Sequence, residues 1–302
     1  MIPRRKFRLK LRSRTLILGP RTLVMGVLNV TPDSFSDGGN FFSQEKAVQH
    51  ALQMERDGAD LMDIGAESTR PGSLGIAAEE EWSRLAPVLA ALRTRLKIPI
   101  SVDTRKSEIA AKAIESGAEI INDVSGLKYD PRIGEISARA RVPLILMHMR
   151  GEPQTMQQKP FARSALKEVA QDFRASLSIA RKAGVPNSQI VLDPGIGFGK
   201  SYAQNYQLLA ELPQLAKLGF PLLVGTSRKG FISKTLAQDA KIAPSAPPTG
   251  VAAEIKIWGT AATVTASILQ GAHIVRVHDV AQMLSVARIA DCILNPALAP
   301  KN

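Results

Sequence analysis

The stretch Pro99–Asp123 reads PISVDTRKSEIAAKAIESGAEIIND, and its reading decides the fold. PISVD and EIIND are short apolar runs, each ending in polar residues, with Asp103 closing the first and Asn122 near the end of the second. Such runs, rich in β-branched residues and too short for a helix, fit strands buried on both faces. SEIAAKAIESG between them carries apolar residues at helical spacing and ends in Gly117, a residue that closes helices. The whole is one strand–helix–strand unit.

The unit recurs in both directions along the chain. The apolar runs are LVMGVLN, DLMDIG, PISVD, EIIND, PLILMH, IVLD, PLLVG and HIVRVH. Amphipathic stretches such as EKAVQHALQMERDG, SEIAAKAIESG and YAQNYQLLAELPQL separate them, and Gly58, Gly117 and Gly184 close helices. Eight strands joined by helices in about 250 residues predict an α/β fold of the (β/α)8, or TIM, barrel type. A doubly wound open sheet is the alternative. Residues 1–302 read as a single domain, with 1–21 as a basic N-terminal segment.

Nearly every run ends in a polar residue: Asn29, Asp63, Asp103, Asn122, His148, Asp193, Arg276 and His278. In a barrel these positions ring the mouth where βα loops gather and chemistry is placed. Taken singly, each also fits a helix cap or a loop hydrogen bond, Asp63 and His148 as readily as a site role. His50 and His273 carry no predicted role.

With 302 residues, 45% of them hydrophobic, the chain can bury a large core, and no apolar run of membrane-spanning length occurs. The single cysteine, Cys292, excludes an intrachain disulfide and fits a reducing, cytoplasmic compartment. The net charge of +12 is concentrated in Arg4, Arg5, Lys6, Arg8, Lys10, Arg12, Arg14 and Arg21, with no acid before Asp33. Phe7 is the one aromatic residue among these cations, too few for the stacking platform of a nucleic-acid groove, so no nucleic-acid partner is predicted. A mildly basic body attracts small anionic substrates instead. The Arg-rich start also has the composition of an organellar transit segment. Yet Phe7, Leu9 and Leu11 alternate with Arg8, Lys10 and Arg12, which is a strand pattern, and LILGPRTLVMGVLNV turns at Gly19-Pro20. A β-hairpin built into the fold is the better reading.

Asp193–Ser201, DPGIGFGKS, nearly matches the phosphate-binding pattern G-x-x-x-x-G-K-[ST]. Proline stands where the first glycine belongs. A P-loop aims backbone N–H groups at phosphate, and Pro194 has none, while Asp193 sets a negative charge beside the anion. The segment suits a donor-rich ligand edge: a strand-end carboxylate accepts two parallel N–H bonds, the glycines allow close approach, and Phe198 is an apolar wall. Two other loops, TPDSFSDGGNFFS and AESTRPGSLG, are long for βα connections and have lid-like composition.

The sequence closely resembles the dihydropteroate synthase family from about Thr22 to Val280. The motifs are MGVLNVTPDSFSDGG, DIGAESTRPG, SVDTRK, INDVSG, LMHM, DPGIGFGK, GTSRKGF and IVRVHDV, one per strand–helix unit and in the family's order. The resemblance implies a (β/α)8 barrel and one reaction: the amine of p-aminobenzoate displaces pyrophosphate from 6-hydroxymethyl-7,8-dihydropterin diphosphate. Mg2+ and cationic side chains are implied to stabilise the leaving anion, with early ionisation of the exocyclic C–O bond.

By the same resemblance Asp193 binds the pyrimidine edge of the pterin. Asp103 and Asn122 contact its other polar edges, Met147 and Phe198 pack on the ring, Arg276 stacks on its face and Lys229 donates to it. Asn29, Arg276 and His278 hold pyrophosphate, with Asn29 a Mg2+ ligand; a helix cap is an alternative for His278. Phe35, Thr69, Arg70, Pro71, Phe198, Lys229 and Gly230 form the p-aminobenzoate site. Asp37 stabilises the cationic intermediate, so that Asp37, Lys229, Arg276 and His278 form the implied catalytic set. A homodimer is implied. Two departures stand out: Gly230 where the family commonly has serine, and the long Pro/Ala-rich segment Leu236–Lys256, implied to be a surface loop near the dimer contact. A corrinoid-linked pterin methyltransferase on the same scaffold would share the Asp–Asn pocket but would not need TPDSFSDGG, STRPG and SRK. A non-catalytic pterin binder is disfavoured by the complete set of motif acids and bases.

Overall fold

The computed structural model describes residues 4–31, 39–69, 72–152, 154–156, 164–238 and 253–300. Two strands at the start, β1 (Phe7–Lys10) and β2 (Thr15–Leu18), are antiparallel partners. Eight parallel strands follow: β3 (Leu23–Asn29), β4 (Leu61–Gly65), β5 (Ile100–Asp103), β6 (Ile120–Asp123), β7 (Leu144–Met147), β8 (Ile190–Asp193), β9 (Leu223–Val224) and β10 (Ile274–Val277). Their order is β8-β7-β6-β5-β4-β3-β10-β9. A parallel bridge between Leu192 and Leu222, with Leu192 N–H donating to the Pro221 carbonyl at 3.0 Å, joins the two ends. The sheet therefore closes into a barrel, and the open doubly wound alternative is excluded.

Helices lie between the strands and cover the barrel: α1 (Gly39–Arg56), α2 (Ala78–Arg93), α3 (Ser107–Glu115), α4 (Arg132–Ala140), α5 (Ala165–Lys182), α6 (Tyr202–Ala210), α7 (Leu212–Ala216), α8 (Gly230–Ala237), α9 (Ala253–Leu269) and α10 (Val280–Leu294). The run YAQNYQLLAELPQL, expected as one helix, is two. It breaks at Glu211, and Pro213, which cannot donate an N–H, sits in the first turn of α7. No helix among the described residues is long and apolar enough to cross a membrane.

The strands alternate between two cores with the period of two that a pleated backbone imposes. Leu23, Met25, Leu61, Ile120, Ile145, Val191, Leu223 and Ile274 pack together inside the barrel. Val24, Met62, Val102, Ile121, Leu146, Leu192 and Val275 pack outward against the helices. Leu9, Leu11 and Leu18 of the hairpin join the inner cluster and are at most 3% exposed. Each such burial contributes about 1.5–3 kcal/mol, so the hairpin is a plug at the N-terminal end of the barrel. Its turn is not at Gly19-Pro20 as expected but at Leu11–Arg14, closed by Leu11 N–H to Arg14 C=O at 2.8 Å. Gly19, at φ 109°, steers the chain from β2 into β3. Part of the basic charge is used structurally. Arg4 ties Thr22, the Ala272 carbonyl and Asp291 together, and Arg21 binds Asp60 through two nitrogens at 2.6 and 2.8 Å.

Candidate active site

Strand parity decides which polar residues reach the mouth. Counting in twos upward from the inner apolar layer, Leu61 leads to Asp63, Ile120 to Asn122, Ile145 to Met147, Val191 to Asp193 and Ile274 to Arg276 and His278. Asp103 pairs in register with Asn122 and with Gly65, two past Asp63, so it shares that inward face; Asn29, also level with Gly65, closes β3 on the same side. His148 has the opposite parity. It lies outside the barrel wall against α5, with Nε2 3.2 Å from Asp172, so its expected place in the ring of mouth residues is wrong.

At the centre of the mouth Arg276 is held between two carboxylates. Its Nε donates to Asp63 at 2.7 Å and its Nη2 to Asp103 at 3.3 Å. Asn122 Nδ2 donates to the same Asp63 oxygen at 3.0 Å, leaving Asn122 Oδ1 buried with no hydrogen-bond partner among the described residues. Burial and the neighbouring Asp63 charge push Asp103 well above the usual carboxylate range, against the pull of Arg276. Gly65 gives this cluster room: a Cβ there would meet Asp103 Cβ at 3.3 Å. Asp63 was visible in the sequence only as one more polar strand end. In the structure it anchors Arg276, and its two-residue spacing from Leu61 is the signal that places it.

The DPGIGFGKS loop follows β8. Asp193 is buried, and burial raises its carboxyl to about 6, with the Gly195 N–H and the charges of Lys229, Arg276 and Lys200 pulling it back down. The loop's own amides point inward. Gly195 N–H donates to Asp193 Oδ1 at 2.7 Å, Phe198 N–H to the Gly195 carbonyl at 3.0 Å and Gly197 N–H to Asn205 Oδ1 at 2.6 Å. Ser201 caps α6 in a reciprocal box with Gln204. Lys200 is 1% exposed and turned into the loop. The N–H groups of Gly195, Gly197, Phe198 and Ser201, and the lysine that a P-loop would offer to phosphate, are thus engaged within the protein. Gly195 (φ 62°) makes the turn possible, since a Cβ there would lie 1.9 Å from the His148 carbonyl oxygen. Phe198 packs on a buried cluster of Val124, Met147, Met149 and Met156.

Lys229 Nζ sits 3.9 Å from the centroid of the Phe198 ring. Burial, then the positive charge of Arg276, lowers it to about 8. Arg228, the residue before it, is held at φ 58° by its paired bonds to Asp279 and by Thr260. This strained turn aims two neighbours at the mouth, Lys229 towards Phe198 and Ser227 towards His278. Ser227 Oγ lies 3.2 Å from His278 N and 3.1 Å from its Nδ1. His278 therefore binds Ser227, and α10 has no side-chain cap, so the helix-cap alternative fails. Burial, then Arg276 and Arg228, lowers the imidazole to about 3 and keeps it neutral.

Thr69 ends the described part of the loop after β4, whose base is clasped by Glu67 bonding Arg105 at 2.9 Å and Lys106 at 2.6 Å. Gly230 opens α8, with an exposed backbone and ordinary negative φ. Phe35, Asp37, Arg70 and Pro71 lie outside the described residues, as does most of the Leu236–Lys256 segment, whose two flanks belong to α8 and α9.

Comparison with known proteins identifies the family and agrees with the barrel fold. The family model for pterin binding enzymes matches residues 25–278. The chain is 48% identical over 276 residues to the dihydropteroate synthase of Synechocystis sp., covering 91% of each protein. The dihydropteroate synthase of Xanthomonas albilineans, solved with 4-aminobenzoic acid, superposes with a TM-score of 0.84 at 39% identity, over 98% of this chain and 100% of that one. The same organism's enzyme in complex with 7,8-dihydropteroate gives a TM-score of 0.81 at 37% identity, over 97% and 100%. The chain belongs to the dihydropteroate synthase family of pterin-binding enzymes.

Proposed function

We propose that the mouth cluster carries the family's condensation through the residues described above. The chain is a dihydropteroate synthase: it joins 6-hydroxymethyl-7,8-dihydropterin diphosphate to p-aminobenzoate, giving 7,8-dihydropteroate and pyrophosphate. The observation that carries the residue assignment is an acceptor-rich floor, Asp193, Asp103 and the unpaired Asn122 Oδ1, set beside the apolar Met147 and Phe198 and under Arg276. A flat ring with N–H and amino groups on its edge and an anionic tail matches that pattern. Asp193 takes the pyrimidine edge as a bidentate acceptor. Asp103 and Asn122 take the remaining polar edges, and the Arg276 guanidinium covers the ring face.

Departure of pyrophosphate is the demanding step, and cations and N–H donors placed where charge develops lower its barrier. Arg276 and Lys229 supply positive charge. Ser227 has one proton; giving it to His278 Nδ1 places the imidazole proton on Nε2, so the neutral ring can donate to a phosphate oxygen. Asn29 is the protein's oxygen donor for Mg2+. Among the described residues no group of three His, Cys, Asp or Glu could hold a metal ion, so Asn29 is the protein group that would meet Mg2+. When bound, Mg2+ neutralises charge on the leaving group. Thr69, Arg70, Pro71, Phe35, Lys229 and Gly230 receive p-aminobenzoate, and Asp37 stands by the cationic centre. Release of pyrophosphate that needs both substrates and Mg2+, with 7,8-dihydropteroate found by mass, tests this reading. Release without p-aminobenzoate would leave a diphosphatase instead.

The shifted Asp193 carboxyl and Lys229 ammonium set a pH window. Asp193 must be ionised to accept, so activity falls as pH drops through about 6. Lys229 must be protonated to supply positive charge to the leaving anion, so activity falls as pH rises through about 8. A bell-shaped profile of kcat/KM for the pterin substrate between these limbs is expected; a flat profile from pH 5 to 9 would remove both assignments.

Gly230→Ser is expected to improve p-aminobenzoate use. Among the described residues nothing lies within 4 Å of a Cβ at this position and φ is not positive, so serine enters without strain there. Its hydroxyl, at the start of α8, adds a donor for the carboxylate, worth about 0.5–1.5 kcal/mol and up to ~3 kcal/mol to a charged group. The Michaelis constant for p-aminobenzoate should fall by up to about tenfold with the pterin constant little changed. Equal worsening for both substrates would contradict the assignment.

The proposed homodimer uses the outer face of α9 and α10, where Trp258 is 66%, Ile289 66% and Ile293 47% exposed. Sedimentation equilibrium tests it, and a monomer at micromolar concentration would remove it. The cytoplasm is the proposed compartment, on the lone, unpaired Cys292.

A further inference from the structure

We propose that Lys200 is a positioning residue for the pterin site: a buried ammonium that ties the DPGIGFGK loop to the outside of the barrel wall and supplies the counter-charge beneath Asp193. This rests on the assignment of Asp193 to the pterin. Three acceptors surround Lys200 Nζ, the Gly195 carbonyl at 2.8 Å, the Phe198 carbonyl at 3.0 Å and His148 Nδ1 at 2.9 Å. The first two belong to the turn that carries Asp193 and Phe198, the floor and wall of the site. The third belongs to the strand end of β7, next to Met147.

The hydrogen-bond directions follow from Asp172. This carboxylate, on α5, lies 3.2 Å from His148 Nε2 and 2.9 Å from Lys128 Nζ. The Asp172 carboxylate at 3.2 Å disfavours a lone pair on Nε2, although the contact is not aligned as a hydrogen bond, and this proximity places the His148 proton on Nε2. Nδ1 is then a lone pair and accepts from Lys200. Three acceptors require three hydrogens, which an ammonium has and a neutral amine lacks. The chain of alternating groups, Lys128, Asp172, His148 and Lys200, runs from the surface of α5 to the underside of the pterin floor. Lys128 also donates to the Met149 carbonyl at 3.1 Å, which braces the same segment. Burial holds Lys200 well below the ordinary lysine range, Asp193 pulls it back up, and Lys229 and Lys128 push it further down; the three acceptors around Nζ are what favour the ammonium. Burial, then Lys200, lowers His148 to about 4, so the imidazole stays neutral. The lysine of G-K-S is thus a strut inside the loop, its hydrogens engaged by Gly195, Phe198 and His148, and its charge adds to those of Lys229 and Arg276 in favouring the Asp193 carboxylate.

Removing the strut has two separable consequences. The loop loses the cross-tie that fixes Phe198 against Gly195, and Asp193 loses a nearby positive charge, so it ionises at higher pH. The test is calorimetric titration of a pterin analogue into the full chain from pH 5.5 to 8.5, for the parent, Lys200→Met, Lys200→Arg and Asp193→Asn. Lys200→Met should weaken pterin binding by about tenfold or more at pH 7 and move the low-pH limb of binding up, because a positive charge that favours the Asp193 carboxylate is lost. Lys200→Arg keeps the charge and should keep the limb where it is, whatever it does to affinity. A merely structural role lowers affinity or melting temperature without moving the limb, so an unmoved limb in Lys200→Met overturns the proposal. If Lys200→Met does not fold, Asp172→Asn, which changes a half-exposed residue, is read instead. Freeing the His148 tautomer should weaken pterin binding about two- to fivefold, of the order expected for one neutral hydrogen bond, and unchanged binding overturns the proposal. Asp193→Asn separates the two levels: if it binds pterin like the parent, the assignment of Asp193 fails, and if it alone loses binding, only the role of Lys200 fails.

Discussion

Asp193→Asn is expected to cost about 10²–10⁴-fold in pterin affinity while leaving the chain at least as stable. The direction of the new amide is fixed by the fold. Gly195 N–H donates to Oδ1 at 2.7 Å, so the amide oxygen keeps that bond and the NH2 group turns to the ligand. There it meets the pterin's own donors. One charge-assisted acceptor is lost, about 1.5–3 kcal/mol, and a buried donor is left unpaired, about 1–3 kcal/mol more. Stability should not suffer, because burial already pushes this carboxyl up to about 6. A group that binds its proton more tightly when folded weakens folding as pH rises past its unfolded value. Removing the charge relieves that penalty at pH 7. Calorimetry with a pterin analogue and a thermal melt are the two measurements; unchanged affinity would take Asp193 out of the site.

Arg276→Met is expected to have the larger total effect, because it removes both a catalytic charge and a structural one. Arg276 binds Asp63 and Asp103 together, and neither carboxylate is more than slightly exposed. Without it two buried carboxylates face each other. Breaking a buried pair in this way costs about 3–5 kcal/mol. The sign with pH is definite. Asp103 already ionises well above the usual range through burial and Asp63, and loss of Arg276 raises it further. Such a carboxyl takes up protons on folding, so the variant's stability should be nearest the parent's at low pH and fall progressively as pH rises. On folded protein, kcat/KM for the pterin diphosphate should drop about 10²–10³-fold, the usual cost of deleting one group that stabilises a developing anion. Melts at several pH values and pyrophosphate release well below the melting temperature check the two parts. A variant with parental kcat/KM would show that Arg276 serves the fold alone.

Much of this was legible in the sequence because parallel strands are apolar on both faces and stop abruptly. LVMGVLN and IVLD coincide with β3 and β8, and the other strands differ only at their ends. Asp103, Asn122, Asp193, Arg276 and His278 were visible because a polar residue after an apolar run is conspicuous. What a run does not show is which way its last residue points. Met147 and His148 are adjacent, and only the pairing of Ile145 within the inner cluster sends one inward and the other outward. Asp63 was underrated for the same reason, since its role depends on Arg276, 213 residues away. Lys200 is a harder case. The loop's glycines at φ 62°, 89° and 66° turn it beneath the loop, and no spacing rule predicts that direction. The N-terminal hairpin was read from alternation alone, but its turn was misplaced because Gly19-Pro20 is the stronger turn signal and belongs to the next connection.

The most direct test of the account is a crystal structure of the chain with a pterin and Mg-pyrophosphate. The pyrimidine edge is expected on Asp193, the ring against Met147 and Phe198 with the Arg276 guanidinium on its face, and pyrophosphate beside Asn29, Arg276 and His278. Phosphate density instead on the backbone amides of Gly195–Ser201, with Lys200 turned out to meet it, would contradict the account at its centre.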